Sequence, residues 1–426
     1  MPPSIPIFIS AGEDSGDLYG ALLIQALRQR LGNVEFFGCG GEKMRAAGCE
    51  TLVDARQLAM VGIVEVIPGL PRVWRAFHHI VDTLRKRRPA LAVLIDFPEF
   101  NLRLAKKLKR AGIEVVYFIA PQVWAWRRGR LADLRQYVDR LLCIFPFEEE
   151  FFRKAGVRAE FVGHPLVGRV APAMTSSQFR NLLGVPEKLP LIALLPGSRP
   201  REISLNLPPM LAAARRMAQE GDYGFLLAAA SPRAAEFIRT HLGDAGQRFW
   251  VVENHTYDAV AHASAAIVAS GTATIETALL GTPMVVVYRV TTATWLLGRR
   301  LVRTPFFSMV NLVAGREIVP EFIQNRFQPE AVARAALDLL ENPAANEEMR
   351  KALGEVVERL RARSSLPAPR SWLRSPDLDA PAAAGRLPVE ESANAQDAKS
   401  VADAIERSVS VTESVLRMRF SLEGNS

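Results

Sequence analysis

The chain has 426 residues, 49% of them apolar, and a formal net charge of +8 from 53 Lys and Arg against 45 Asp and Glu. That length exceeds one ordinary core and implies two domains of about 150–200 residues, while no apolar run reaches the ~18–20 residues of a membrane span. Cys39, Cys49 and Cys143 have neither metal spacing nor a disulfide framework, which suits a reducing cytoplasm.

The positive balance points to an anionic partner. Nucleic acid is disfavoured, because no recognisable nucleic-acid module is present and the basic residues are scattered over many helices; an anionic membrane surface is the other candidate. The N-terminus, MPPSIPIFIS, has no basic region ahead of its apolar residues and leads into a strand, so no signal peptide is expected. Strands are predicted at Ile5–Ser10, Glu35–Cys39, Leu91–Asp96, Glu114–Ile119, Arg140–Phe145 and Glu160–Val162. Helices fall between them, such as Ser15–Leu31, where Leu18, Leu22, Ala26 and Leu27 share a face.

AGEDSGD (Ala11–Asp17) follows the first strand. Gly12 and Gly16 free the backbone, Ser15 can donate, and Glu13 and Asp17 bring carboxylates to the strand end. Paired acids repel a diphosphate and suit sugar hydroxyls; Asp14 or Ser15 is the expected helix N-cap. Gln57–Leu70 then carries only Glu65 as a charge. In Arg72–Arg88 the residues Val73, Trp74, Phe77, Ile80, Val81 and Leu84 recur at helical spacing beside Arg72, Arg75, Arg85, Lys86, Arg87 and Arg88. This pattern fits an interfacial helix, and equally a core-packed helix with a solvated basic end. Asp96 closes its strand in IDFPEFN, where a carboxylate can take a proton from an attacking hydroxyl. Glu99 competes for that role, Asn101 offers an amide to a sugar hydroxyl, and the plain alternative is that Asp96 caps a turn.

Pro165, in Gly163-His164-Pro165, disfavours helix and ends the first half. The second half restarts with strands Leu191–Leu195, Phe225–Ala229, Trp250–Glu253, Ala265–Ala269 and Pro283–Arg289. Two of its strand–turn–helix units suit a nucleotide diphosphate. In the first, Gly197 and Ser198 break the strand, and Arg199 and Arg201 supply fixed positive charge. In the second, Ser270, Gly271 and Thr272 form the turn before a helix over Thr274–Leu280. Unpaired N–H groups at a helix start favour phosphate, and Ser270, Thr272 and Thr274 add hydroxyls. Neither unit is a Walker A or a GxGxxG, which disfavours P-loop NTPases and ordinary dinucleotide enzymes.

The alternation implies an α/β chain with two Rossmann-like, doubly wound domains facing a cleft, with ligands at the carboxyl ends of the strands. The expected layout is an N-terminal domain over 1–168 and a second over 169–328. Helices over 329–363 are expected to pack back on the first domain. A Pro-, Ala- and Ser-rich insert at 364–396 reads as flexible, and a terminal helix and tail span 397–426.

AGEDSGD, VGIVEV, IDFPEFN, PQVWAWRRGR, FVGHP, LLPGSRPREI, SGTATIE and NLVAGREIVPEFIQ occur in the order seen in lipid-A-disaccharide synthases, which the chain resembles from Ile5 to about Arg363. The resemblance implies a GT-B-type inverting glycosyltransferase at the cytoplasmic membrane face, without a cofactor or catalytic metal. Such an enzyme condenses UDP-2,3-diacylglucosamine with 2,3-diacylglucosamine 1-phosphate, a lipid monosaccharide phosphate, giving the β-1,6-linked disaccharide and UDP. It further implies that Asp96 is the general base and Arg199 the arginine near the donor diphosphate. Glu276, Asn311, Arg316 and Gln324 become donor-site residues, Gln57–Arg88 a membrane-docking patch, and a homodimer a shared trait. The rival readings are a UDP-sugar 2-epimerase, a peptidoglycan-precursor transferase and a non-catalytic binding protein.

Overall fold

The computed structural model describes residues 4–55, 66–125, 129–242, 248–292, 294–296, 304–361 and 404–417. The chain divides into two compact units, one of residues up to Pro165 together with the segment from Arg361, the other Leu166–Leu360.

The first unit is built on a parallel sheet of seven strands: β1 (Ile5–Ala11), β2 (Val34–Gly40), β3 (Glu50–Asp54), β4 (Leu91–Ile95), β5 (Glu114–Phe118), β6 (Arg140–Cys143) and β7 (Ala159–Phe161), in the order 3-2-1-4-5-6-7. Every residue of β4 is buried, as expected of a parallel strand covered by helices on both faces. Strand order reverses between β1 and β4, which places the loops after these two strands side by side. The β3 edge strand, ETLVD, escapes the sequence reading because it is short and polar at both ends. Strand β4 stops one residue earlier than expected, since Asp96 turns into a left-handed conformation with φ 47°.

The second unit repeats the plan with β8 (Leu191–Leu195), β9 (Gly224–Ala229), β10 (Phe249–Glu253), β11 (Ala265–Ala269), β12 (Met284–Tyr288) and β13 (Glu321–Ile323), in the order 10-9-8-11-12-13. Its central strands β8 and β11 are wholly buried, and the order reverses between them. The two glycine-turned loops therefore share one crevice-forming edge. The three-residue β13 is the other strand without a sequence signal of its own.

The helices over 329–363 correct the expectation that they pack on the first domain. Pro329–Glu341 lies against the Pro200–Glu220 helix, β11 and β12, and Pro343–Leu360 lies against the Thr272–Leu279 and Met309–Ala314 helices, all within the second unit. Their buried faces explain the choice, with Val332, Ala336 and Leu337 on one and Leu353, Val356 and Leu360 on the other. Arg359 also donates to the carbonyls of Val313 and Ala314 at 3.0 and 2.8 Å, closing the end of the 309–314 helix. It is the helix over 404–417 that docks on the first unit. There Arg30 pairs with Glu406 and Glu413, and Arg407 donates to the Phe161 carbonyl at 3.2 Å. The insert at 364–396 lies outside the described residues.

Candidate active site

At the switch point of the first sheet, Asp96 and Phe97 are consecutive left-handed residues (φ 47° and 50°) just before Pro98. Proline disfavours right-handed helix at the residue before it, and such conformations cost of order 1–3 kcal/mol each, so neighbours must hold them. They do. The Asp96 N–H donates to the Phe118 carbonyl at 2.9 Å, and the Asp96 carbonyl accepts from Asn101 Nδ2 at 2.8 Å and Tyr117 OH at 2.7 Å. Gly12 packs on the same turn: a Cβ there would lie 2.2 Å from the Phe97 ring, so the β1 and β4 loops touch only because residue 12 has no side chain.

The Asp96 carboxyl is raised to about 6, first by burial and then by the charge of Glu13, with the Phe97 N–H pulling the other way. A base poised near neutral pH is what general-base chemistry requires. Glu13, exposed, is also the N-cap of the Asp14–Leu31 helix, a position the sequence reading gave to Asp14 or Ser15. Ser15 is exposed in the first turn, and Gly16 is buried against Ala11, where a Cβ would meet the Ala11 Cβ at 3.2 Å. Two further acids need correction or addition. Asp17 is not a sugar ligand: it is 6% exposed and accepts from the N–H groups of Gly41, Lys43 and Met44 at 2.6, 3.0 and 3.1 Å, capping the short Glu42–Ala46 helix. Glu148, buried, accepts from Trp124 Nε1 at 3.0 Å and is pushed to about 8, mainly by burial, with the Asp96 charge adding to it.

Asn101 is likewise committed inside the fold. Its Oδ1 accepts from Ser10 Oγ at 2.8 Å and its Nδ2 donates to Ile95 and Asp96, so it fixes the Asp96 turn and has no amide to offer a sugar. Glu99 pairs with Arg130 and is more exposed than Asp96, which leaves Asp96 as the desolvated carboxyl of this loop.

At the switch point of the second sheet, Gly197 (φ 120°) turns the chain after β8, and Arg199 is the N-cap of the Pro200–Glu220 helix. Arg199 and Arg201 are both exposed. The N–H groups of Ser198 and Arg199 already face a carboxylate, that of Glu202 at 3.3 and 3.4 Å. This helix start is self-capped, which the sequence signalled by an acid three residues into the helix. The other helix, Thr272–Leu279, starts two residues earlier than predicted, at an N-cap of Gly271 with no side-chain cap. Gly271 has φ 148° and nothing within 4 Å of where a Cβ would stand. Thr272 is exposed there. By contrast the Thr274 hydroxyl donates to the Gly271 carbonyl at 2.8 Å, and Ser270 Oγ donates to the Phe307 carbonyl at 2.7 Å. Glu276 accepts from Tyr257 OH at 3.0 Å, and burial raises its carboxyl.

The NLVAGREIVPEFIQ block is internal scaffolding. Asn311, wholly buried, donates to the Val319 carbonyl and Glu321 Oε1 and accepts from the Ile318 and Val319 N–H groups, all within 2.7–3.0 Å. Gln324 exchanges two bonds with the Val290 backbone at 2.7 and 2.9 Å. Arg316 pairs with Glu355 at 3.6 Å on the surface. Asn311 and Gln324 are thus spent on the protein's own groups, against the expectation of donor ligands, while Arg316 stays exposed and its donor-site role stands as the expectation from sequence. Missed altogether were Asn206, which links the Pro196 carbonyl to the Arg289 N–H, and Glu321, which accepts from Phe307, Ser308 and Asn311. A carboxamide inside an apolar helix, for Asn206, and an acid opening an apolar strand, for Glu321, were the available signals.

Along the Val66–Arg87 helix, Ile80, Val81 and Leu84 are buried in the first unit's core, with Val73 and Phe77 packed against it. Trp74, 63% exposed, and Arg72, Arg75 and Arg85 remain open to solvent along the same helix. Residues 57–65 of the expected patch lie outside the described residues.

The comparisons with known proteins discriminate among chemistries that this geometry alone permits. A solved structure of UDP-GlcNAc 2-epimerase from Neisseria meningitidis bound to UDP-GlcNAc superposes with a TM-score of 0.56 at 11% identity, covering 84% of this chain and 99% of that one, a likeness of fold. The family model for lipid-A-disaccharide synthetase matches residues 7–368. Lipid-A-disaccharide synthase of Solibacter usitatus is 46% identical over 85% of this chain and 94% of its own length, and that of Koribacter versatilis is 44% identical over 84% and 94%. With two parallel α/β units of the GT-B type and that match along nearly all its motifs, the chain belongs to the lipid-A-disaccharide synthase family of glycosyltransferases.

Proposed function

We propose that this enzyme of lipid A disaccharide synthesis uses Asp96 as the general base on the 6-hydroxyl of 2,3-diacylglucosamine 1-phosphate. The donor is UDP-2,3-diacylglucosamine. The acceptor oxygen forms a bond to the donor's anomeric carbon as the bond to the diphosphate breaks, inverting that carbon, while the hydroxyl proton passes to Asp96 and UDP departs. The uncapped helix start at Gly271–Thr272 and the Arg199 guanidinium take the leaving diphosphate, a role in which each well-placed donor contributes about 3–4 kcal/mol. The observation that carries the reading is Asp96 itself, a partly desolvated carboxyl at a sheet switch point, raised to about 6 on a pinned, left-handed backbone.

The test is release of UDP from the diacylated donor with and without the acceptor. Asp96→Asn lowers kcat by ~10²–10⁴-fold and leaves UDP affinity unchanged; near-normal turnover in that variant removes Asp96 from the role of base. An epimerised sugar instead of a disaccharide marks the 2-epimerase alternative. Turnover that survives EDTA supports charge neutralisation by Arg199 rather than by a metal. The reading includes docking to the anionic inner face of the cytoplasmic membrane through Trp74 and its basic neighbours. It also includes self-association as a homodimer, which rests on the resemblance and is checked by sedimentation.

A further inference from the structure

Within the second unit a cavity of about 340 Å³ opens at the carboxyl ends of β12 and β13, walled by Trp295, Pro305, Phe306, Phe307 and Ile323. Such a volume lies at the small end of ligand pockets. Five polar residues line it as well, and two of them, Glu321 and Gln324, are spent. The Glu321 carboxylate accepts from the Phe307 and Ser308 N–H groups, Ser308 Oγ and Asn311 Nδ2. The Gln324 amide is closed on the Val290 backbone. Glu317, Asn325 and Arg326 are the other three, and all of them are exposed.

The rest of the described wall is hydrocarbon and aromatic surface. The rings of Trp295 and Phe307 stand 6.0 Å apart, Phe307 is 37% exposed, and Leu296 beside Trp295 is 49% exposed. Apolar side chains left open around a concavity mark a binding surface. A nucleobase would meet the Gln324 amide and Glu321 carboxylate already engaged, and a phosphate would find, among the described lining residues, only the exposed Arg326 as a cation. A methylene chain requires neither. The wall is also tied to the loop assigned above to the donor diphosphate, because Ser270 Oγ donates to the Phe307 carbonyl at 2.7 Å.

We infer that this cavity receives one acyl chain of the acylated sugar-nucleotide donor, an assignment that rests on the function proposed above. Phe307→Ala and Trp295→Ala remove ring surface, and Phe307→Ala retains the backbone groups that bond Ser270 and Glu321. The experiment measures KM for UDP-2,3-diacylglucosamine, KM for the same donor with its acyl chains shortened to acetyl, and inhibition by UDP, on wild type and on each variant. Each variant raises KM for the long-chain donor by roughly tenfold, the effect of losing much of one buried aromatic side chain. Its KM for the short-chain donor and its inhibition by UDP stay within about twofold of wild type. Unchanged long-chain KM in both variants overturns the inference while the glycosyltransferase reading stands. A parallel loss of UDP affinity overturns it too, because the cavity then serves the nucleotide. If wild type shows no acceptor-dependent turnover, the functional reading fails separately, and calorimetric binding of the two donors to wild type and variants still decides the cavity.

Discussion

Asp96 combines two costs that a fold rarely accepts together without a return: a left-handed backbone at a non-glycine residue and a carboxyl held away from water. The carbonyl of the strained residue is anchored by Asn101 and Tyr117, whose bonds leave the carboxyl itself free to titrate. The sign of the pH dependence follows. In its proposed role as base Asp96 must be ionised, its carboxyl is raised to about 6, and so kcat is expected to fall as pH drops through about 6. Glu13 contributes to that elevation by like-charge repulsion. Glu13→Gln therefore moves the acid limb of the kcat profile to lower pH; a limb that stays in place or rises removes Glu13 from the electrostatics of the site. As a residue, Asp96 was legible in the sequence because a strand-end acid before a proline is a local pattern. Asn101 and Asp17 were misread because a carboxamide or acid near a glycine turn looks the same whether it serves a ligand or a backbone N–H.

Among the elements, the two helix starts of the second unit looked equivalent as sequence and are different as structure. Glu202 fills the first with its own carboxylate, and the start after Gly271 has no side-chain cap. In the proposed function the two therefore divide the diphosphate, with the helix at Thr272 supplying backbone N–H groups and the Pro200–Glu220 helix supplying the Arg199 charge. Arg199→Ala lowers kcat by ~10²–10³-fold, and an activity loss under threefold in steady-state assays would separate Arg199 from the diphosphate. The 308–324 segment is the scaffold next to these loops. Asn311→Ala takes one of four donors from the buried Glu321 carboxylate and removes the partner of the Val319 carbonyl and of the Ile318 and Val319 N–H groups, so it destabilises the protein by about 2–4 kcal/mol. Denaturant melts monitor that loss, and donor KM at permissive temperature stays near wild type. A normal melt with a large KM defect would return Asn311 to the donor site.

For the molecule as a whole, the structure favours the core-packed alternative for the 66–87 helix, and the proposed docking face is confined to its exposed residues. Val73, Phe77, Ile80, Val81 and Leu84 of the Val66–Arg87 helix are taken up by the core, and Trp74 is exposed along with Arg72, Arg75 and Arg85. Among the described residues no helix is long and apolar enough to cross a membrane. Attachment through this face would be electrostatic with one aromatic anchor. Each Lys or Arg near an anionic surface contributes about 1 kcal/mol, so Arg72→Ala with Arg75→Ala reduces binding to phosphatidylserine-containing vesicles by roughly tenfold or more. Cosedimentation measures it, and added salt weakens wild-type binding in the same assay.

Sequence by itself determined two α/β units, the glycine-turned loops at the ends of β8 and β11, the acid at the end of β4 and, through its ordered motifs, the family. Those are local patterns of hydrophobic period and turn chemistry, and they survive without knowledge of the fold. Tertiary structure alone decided that Asp17, Asn101, Asn311 and Gln324 are spent on the protein's own backbone. It also decided that the 329–360 helices cover the second unit while 404–417 returns to Arg30 in the first. The reason is physical: whether a polar side chain is free for a ligand depends on which backbone groups and apolar faces reach it once the chain is packed. Those partners, as with Arg30 and Glu406, can stand 376 residues apart.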